Sequence, residues 1–365
     1  MQVKLNDLSR SSEELTAKIQ AAVIGVVDSG WYVHGHQHER FEHEFARWCG
    51  LEHAIGVASG TDAIELALRA LGCGPGDRVA TVANAGGYAT LAALAVGCFP
   101  VFVDIDQRLN MCPDDLARVL RSCPEIKVVV VTHLYGQLAQ IDAIQNVVRT
   151  AGIKLVEDCA QAHGASLNGR LAGSFSDAGC FSFYPTKNLG GMGDGGAVVT
   201  ADVGVADRLR RLRQYGWGRR YHVELSGGRN SRLDEIQAAI LRIKLPHVHR
   251  WNTERRRIAE RYHEAASGTN LLFPSRGGAE DYVAHLCVAR HPDRDTFRDR
   301  LLQRGIATDI HFPILDVQHA SLNLQQRSLP MAEQACREIV TLPCFPGMQP
   351  DEVDYVCEAI RECGV

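Results

Sequence analysis

Lys187, in FSFYPTKN (181–188), and Asp158, in LVEDCAQAHGA (155–165), place an amine and an acid beside two successive apolar segments. An amine so placed can condense with an aldehyde, and a carboxylate can keep a ring nitrogen protonated. Pyridoxal 5′-phosphate (PLP) needs both: a lysine for its Schiff base and an acid that makes its ring an electron sink for a substrate carbanion. KLVEDCA (154–160) reads as a strand ending in acid, and DAGCFSFYP (177–185) as a strand closed by Pro185, which cannot continue a ladder. The carboxyl ends of neighbouring strands in an open α/β sheet face one crevice, so the two groups are expected to converge there.

A phosphate site is expected at another strand end. HAIGVAS (53–59) has the pattern of a strand, and SGTDAIELALRALG (59–72) that of a helix with an apolar face through Ile64, Leu68 and Leu71. Between them the first backbone N–H groups of the helix and its positive end would meet a dianion, with Ser59, Gly60 and Thr61 lining the turn. Ser and Thr also cap helices without any ligand, so this turn gains its meaning from the amine and acid.

Further strands are predicted at VATVA (79–83), PVFVDI (100–105), KVVVVTH (127–133), CFSFY (180–184) and AVVT (197–200), with helical stretches between them. That alternation predicts an α/β chain with a mostly parallel central sheet flanked by helices. IQAAILRIKLPHVHRWNTERRRIAERYHEAA (236–266) should be helical and altered at Pro246, leading from a large domain (1–243) into a smaller C-terminal α+β domain (244–365). In the latter, YVAHLCVAR (282–290) reads as a strand and DRDTFRDRLLQRG (293–305) as an amphipathic helix.

These landmarks resemble one family. SGTDA, VFVDID, HLYGQ, EDCAQAHG, GSFSDAGCFSFYPTKNLG, GDGGAVVT and RLDEIQAAILRIKL occur in the order seen in the DegT/StrS-type PLP-dependent nucleotide-sugar aminotransferases, of PLP-dependent transferase fold type I, and cover nearly the whole chain. The resemblance implies that Lys187 carries the cofactor, Asp158 pairs with its ring nitrogen, Gln161 bonds its 3-oxygen and Tyr88 stacks on its face. It implies that Gly60, Thr61 and Ser182 bind the phosphate, joined by Asn230 from the neighbouring subunit, so that a homodimer shares its active sites. His163 stands as a partner behind the site or as an ordinary buried histidine, and His311, in DIHFP, as a residue at the lip.

Lysine at 187 favours amino transfer over the dehydratases of the family, which have histidine there. The resemblance further implies L-glutamate as donor and a cofactor cycling through pyridoxamine 5′-phosphate (PMP). ANAGGYAT (83–90) resembles members that aminate carbon 3 of a thymidine diphosphate (TDP)-linked 3-keto-6-deoxyhexose. Amination of carbon 4 on a TDP- or UDP-4-keto sugar, a non-catalytic PLP sensor and a nicotinamide-dependent oxidoreductase remain as alternatives.

The formal charge of −4 and pI near 6.4 argue against a nucleic-acid binder. No apolar stretch is long enough for a membrane helix and MQVKLNDLSRSSEELTAKI has no apolar signal core, so a cytoplasmic protein is expected. The 12 cysteines contain no C-x-x-C pair, which predicts reduced, mostly buried thiols; Cys159 and Cys180 should pack as small apolar groups. G-M-G-D-G-G (191–196) matches a dinucleotide-binding fingerprint but precedes a strand instead of opening a helix, which excludes that use. Asp104 and Asp106 are expected in a turn, and His34, His36 and His38 in a solvated loop without a metal. Arg208, Arg210, Arg211 and Arg213 are read as a solvated helix face, whereas Arg219 and Arg220 could clamp a substrate diphosphate with forked donors.

Overall fold

The computed structural model describes residues 1–10, 13–325 and 327–365. Seven strands form the central sheet: β1 His53–Val57, β2 Arg78–Val82, β3 Phe99–Val103, β4 Ile126–Thr132, β5 Lys154–Asp158, β6 Ala178–Ser182 and β7 Gly196–Thr200. Their order is β1-β7-β6-β5-β4-β2-β3, and only β7 runs antiparallel to its two neighbours. Strand β4 shows why both faces need cover. Val129 and Val131 enter one apolar core and Val128 and Val130 the other, because successive side chains point to opposite faces. The helix Gly60–Ala70 seals one face with Ala63, Leu66 and Ala67, and the Phe41–Phe45–Phe181–Phe183 ring cluster fills the other.

The helical run after residue 230 divides at a 3₁₀ turn, Leu245–His247, between the helices Glu235–Lys244 and Val248–Ala265. Pro246 within that turn lacks the N–H needed to continue the first helix. Beyond it a separate apolar core forms around Tyr262, Phe297, Leu301, Val356 and Ile360, against an antiparallel pair of strands, Cys287–Arg290 with Ile339–Leu342. The predicted strand at 282–290 therefore shortens to its last four residues.

Two expectations for charged residues are corrected. Arg213 is 7% exposed, not solvated: its Nη1 donates to Gly56 O at 2.9 Å and to Glu42 Oε1. His38 lies in the helix His36–Trp48 and is buried beside the same Arg213 and Glu42, so the three histidines are not a solvated loop. Asp104 and Asp106 do occupy a turn. Asp104 accepts from Met331 N at 3.1 Å and Ala332 N at 3.0 Å, which caps the helix Pro330–Glu338, and Asp106 accepts from Arg108 N at 2.8 Å. All 12 cysteines are free, and only Cys112 is not buried.

Glu157, adjacent to the expected catalytic acid, fixes the end of β5. Its fully buried carboxylate accepts from Gly173 N, Phe175 N and Ser176 Oγ, each at 2.8 Å, and from His133 Nε2 at 3.0 Å. His133 Nδ1 accepts from Ala139 N at 3.1 Å, which places the ring proton on Nε2 and makes it the donor to Glu157. This closed set accounts for the His133, Glu157 and Cys159 grouping, since neither imidazole nitrogen keeps a lone pair for an ion. Glu157→Ala is expected to strand four buried donors and cost about 3–5 kcal/mol of unfolding free energy; urea denaturation showing a loss below about 1 kcal/mol would contradict this account.

Candidate active site

Asp158 is the last residue of β5, and Lys187 sits in the turn that follows β6, where its N–H donates to Tyr184 O at 2.8 Å. Both line one cavity of about 280 Å³, with Ser59, Gly60, Thr61, Ile64, Tyr88, Ala160, Ser182, Tyr184 and Asp194. Six residues named from sequence for the cofactor, Gly60, Thr61, Tyr88, Asp158, Ser182 and Lys187, thus meet in a single space.

The cavity keeps its amine and acid away from water. Asp158 is 4% exposed; Oδ1 accepts from Ala160 N at 3.0 Å and Oδ2 from Thr132 Oγ1 at 3.2 Å. Burial pushes its carboxyl above the usual range, while those donors and the charge of Lys187 pull the other way. Burial likewise lowers the Lys187 ammonium to about 8, against an opposing pull from Asp158. Part of the Lys187 side chain remains accessible through the cavity, yet its amine has the surroundings of the interior. Near pH 8 about half of the amine is therefore neutral and nucleophilic, whereas an ordinary lysine would be almost wholly protonated.

The opposite end of the cavity is a backbone cradle. A Cβ on Gly60 would stand 2.6 Å from Ser182 Cβ, and one on Gly196 would stand 2.4 Å from Ser59 O. Glycine at both positions lets the start of the helix Gly60–Ala70 approach the ends of β6 and β7. Ser231 pins this turn: its Oγ donates to Asp62 Oδ2 at 2.6 Å and accepts from Ala58 N at 3.0 Å. Free N–H groups, a helix N-terminus and the Thr61 and Ser182 hydroxyls suit a phosphate, and the buried amine and acid suit an aldehyde-bearing pyridine, so these residues fit PLP.

The other named residues lie elsewhere. Gln161 is buried next to the cavity, and its Oε1 accepts from Tyr135 N at 2.6 Å, leaving the amide nitrogen as its donor. His163 is buried against Phe181 and Phe183, without a well-formed hydrogen bond to either ring nitrogen, and burial lowers it to about 3. His311 lines a neighbouring pocket with Asn6, Thr186, His285 and Thr341. Asn230 is exposed and bridges to Gln214, and Arg219 and Arg220 are exposed on the hairpin Trp217–Arg219/His222–Val223. None of these three borders the cavity of its own protomer. Tyr184 and Asp194 do border it and were not singled out from sequence, although both stand inside quoted motifs, FSFYPTKN and GDGG. Thr132, whose contact with Asp158 crosses from β4, carried no local signal.

Sheet, cradle and amine–acid pair define a PLP-type transferase scaffold. The model of the DegT/DnrJ/EryC1/StrS aminotransferase family matches residues 13–361, and the chain belongs to that family. It is 42% identical over 360 residues to a dTDP-3-amino-3,4,6-trideoxy-alpha-D-glucose transaminase of Streptomyces venezuelae, covering 98% of this chain and 94% of that one. The crystal structure of S. venezuelae DesV in complex with a ketimine intermediate shares its fold at a TM-score of 0.95 and 41% identity, over 99% of this chain and 98% of that one. Bacillus subtilis NtdA, solved with bound cofactor PMP, gives 0.90 and 28%, over 99% and 85%.

The depressed amine makes a pH prediction. Uptake of PLP by the apoprotein, followed by absorbance, should accelerate as pH rises with a midpoint near 8. A midpoint above 10 would mean that the amine is not buried as described.

Proposed function

We propose that the chain is a PLP-dependent aminotransferase that moves an amino group from L-glutamate to carbon 3 of a TDP-linked 3-keto-6-deoxyhexose. The observation that carries this reading is the meeting of Lys187, Asp158 and the Ser59–Thr61 cradle in one cavity, in a chain 42% identical to a transaminase named for a 3-amino sugar. Bound PLP would supply an electron sink for the carbanion formed when an amino-bearing carbon loses its proton.

The protein's own groups do the rest. Lys187 holds the cofactor covalently until an amino donor displaces it, and its freed amine, poised near pH 8 by burial, then takes a proton from the donor carbon and delivers it one bond away. Asp158 stays as a buried anion that a protonated ring nitrogen would neutralise; the Ala160 and Thr132 donors aim its oxygens. Gln161 presents its amide nitrogen to the ring oxygen, Tyr88 covers the ring face, and Gly60, Thr61 and Ser182 fix the phosphate. The same steps in reverse place the amino group on the ketone, so donor and sugar use one site in turn.

Exposure of Asn230, Arg219 and Arg220 away from their own cavity supports roles across a homodimer, with Asn230 at the partner's phosphate and the arginines at the nucleotide diphosphate. An exposed aromatic ridge, Trp31, Tyr32, Tyr215 and Tyr221, supports the same assembly. The separate cores support a large domain over 1–243 and a small domain over 244–365. Among the described residues no helix is long and apolar enough to cross a membrane, and a cytoplasmic location completes this reading.

Two experiments test it. With glutamate and a panel of TDP- and UDP-linked 3-keto and 4-keto sugars, mass spectrometry should find 2-oxoglutarate and a 3-amino product from the TDP-3-keto sugar; amination of 4-keto sugars alone would contradict the assignment. Lys187→Ala should lower turnover by at least the ~10²–10⁴-fold that a positioned acid–base group contributes, and turnover within about tenfold of the parent would remove lysine from the chemistry.

A further inference from the structure

The segment Phe312–Asp316 crosses from the C-terminal part of the chain onto the loop ANAGGYAT (83–90), which carries Tyr88 into the cavity. Two consecutive glycines in that loop, Gly86 at φ 77° and Gly87 at φ 82°, take the left-handed conformation that disfavours any other residue. Gly86 also leaves room for the Phe312 ring, because a Cβ there would stand 2.9 Å from Phe312 Cε1. The Tyr88 and Phe312 rings then meet edge to face, with centroids 6.3 Å apart.

Asp316 grips both ends of this turn. Its backbone N–H donates to Ala83 O at 2.9 Å, and Oδ2 accepts from Thr90 Oγ1 in the first turn of the helix Tyr88–Val96. Oδ1 faces Gly87, 3.9 Å from where a Cβ would lie, and has no well-formed hydrogen bond. Gly87 is the N-cap of that helix and has no side chain to offer, so a carboxylate from residue 316 supplies the negative charge at its positive end. The residue is 2% exposed. Burial pushes its carboxyl up to about 6, with Thr90 and His319 pulling it down, so it is ionised at pH 7.5. Tyr88 itself is 47% exposed, and its ring direction depends on the backbone that Asp316 holds.

We propose that Asp316 is a positioning residue of the active site: through Thr90 and the Gly86–Gly87 turn it sets the angle at which Tyr88 covers the cofactor ring. The proposal rests on the aminotransferase reading and adds to it a link between the C-terminal segment and one face of the cofactor. PMP is the sensitive form, because it is not attached to Lys187 and depends on such non-covalent contacts.

The test uses purified apoprotein and PMP alone, with the dissociation constant read by calorimetry for the parent, Asp316→Asn, Thr90→Val, Tyr88→Ala and the combined Asp316→Asn/Tyr88→Ala variant. Asp316→Asn and Thr90→Val should each weaken PMP binding by about 3- to 10-fold, comparable to one aromatic contact. In the Tyr88→Ala background Asp316→Asn should have little further effect, because its action passes through that ring. An equal loss in both backgrounds, or no loss in either, overturns the proposal; so does a weakening no larger than the fall in apoprotein melting temperature explains. If the parent apoprotein does not bind PMP at all, the aminotransferase reading fails with it, an outcome distinct from additive losses in a protein that binds PMP normally.

Discussion

A buried amine facing a buried acid is the arrangement on which the rest of this molecule depends. Either group alone would cost several kcal/mol to keep charged in the interior. Together they partly compensate, yet desolvation still dominates both: Asp158 is raised and Lys187 is lowered to about 8. The residual strain on protonation is useful, since it leaves the lysine able to attack near neutral pH while the acid awaits a cation. The sheet imposes this meeting by placing β5 and β6 side by side in parallel, so that their carboxyl ends open on the same side.

The surroundings exist to hold those ends still. Glu157 ties β5 to the 173–176 turn with four hydrogen bonds immediately before Asp158, and Thr132 and Ala160 aim the acid itself. On the cradle side, close backbone approach at Gly60 and Gly196 and the Ser231 anchor do the same for the helix that faces a phosphate. The C-terminal part adds Asp316 and Phe312 over the Tyr88 loop, so the cavity is a joint product of both parts of the chain.

What could be read from sequence was local in origin. Apolar runs closed by Asp, Ser or Pro marked the strands to within a residue or two: KLVED coincides with β5, whereas CFSFY runs two residues past β6. Lys187, Asp158 and the Ser59–Thr61 turn were legible because each stands at a strand end within its own motif. Interactions that span the chain left no such trace. Asp316 meets Thr90 across 226 positions, and Arg213 meets Glu42 across 171, so one looked like a loop acid and the other like a surface arginine. The roles of Asn230, Arg219 and Arg220 depend on a second copy, which a single protomer does not supply.

The central claim is most directly tested by a crystal structure of the protein grown with PLP. The account requires continuous density from Lys187 Nζ to the cofactor's aldehyde carbon, the ring nitrogen within hydrogen-bond distance of Asp158, and the phosphate on the backbone of Gly60 and Thr61. Cofactor bound elsewhere, or held in this cavity with Lys187 and Asp158 turned away from it, would contradict the account.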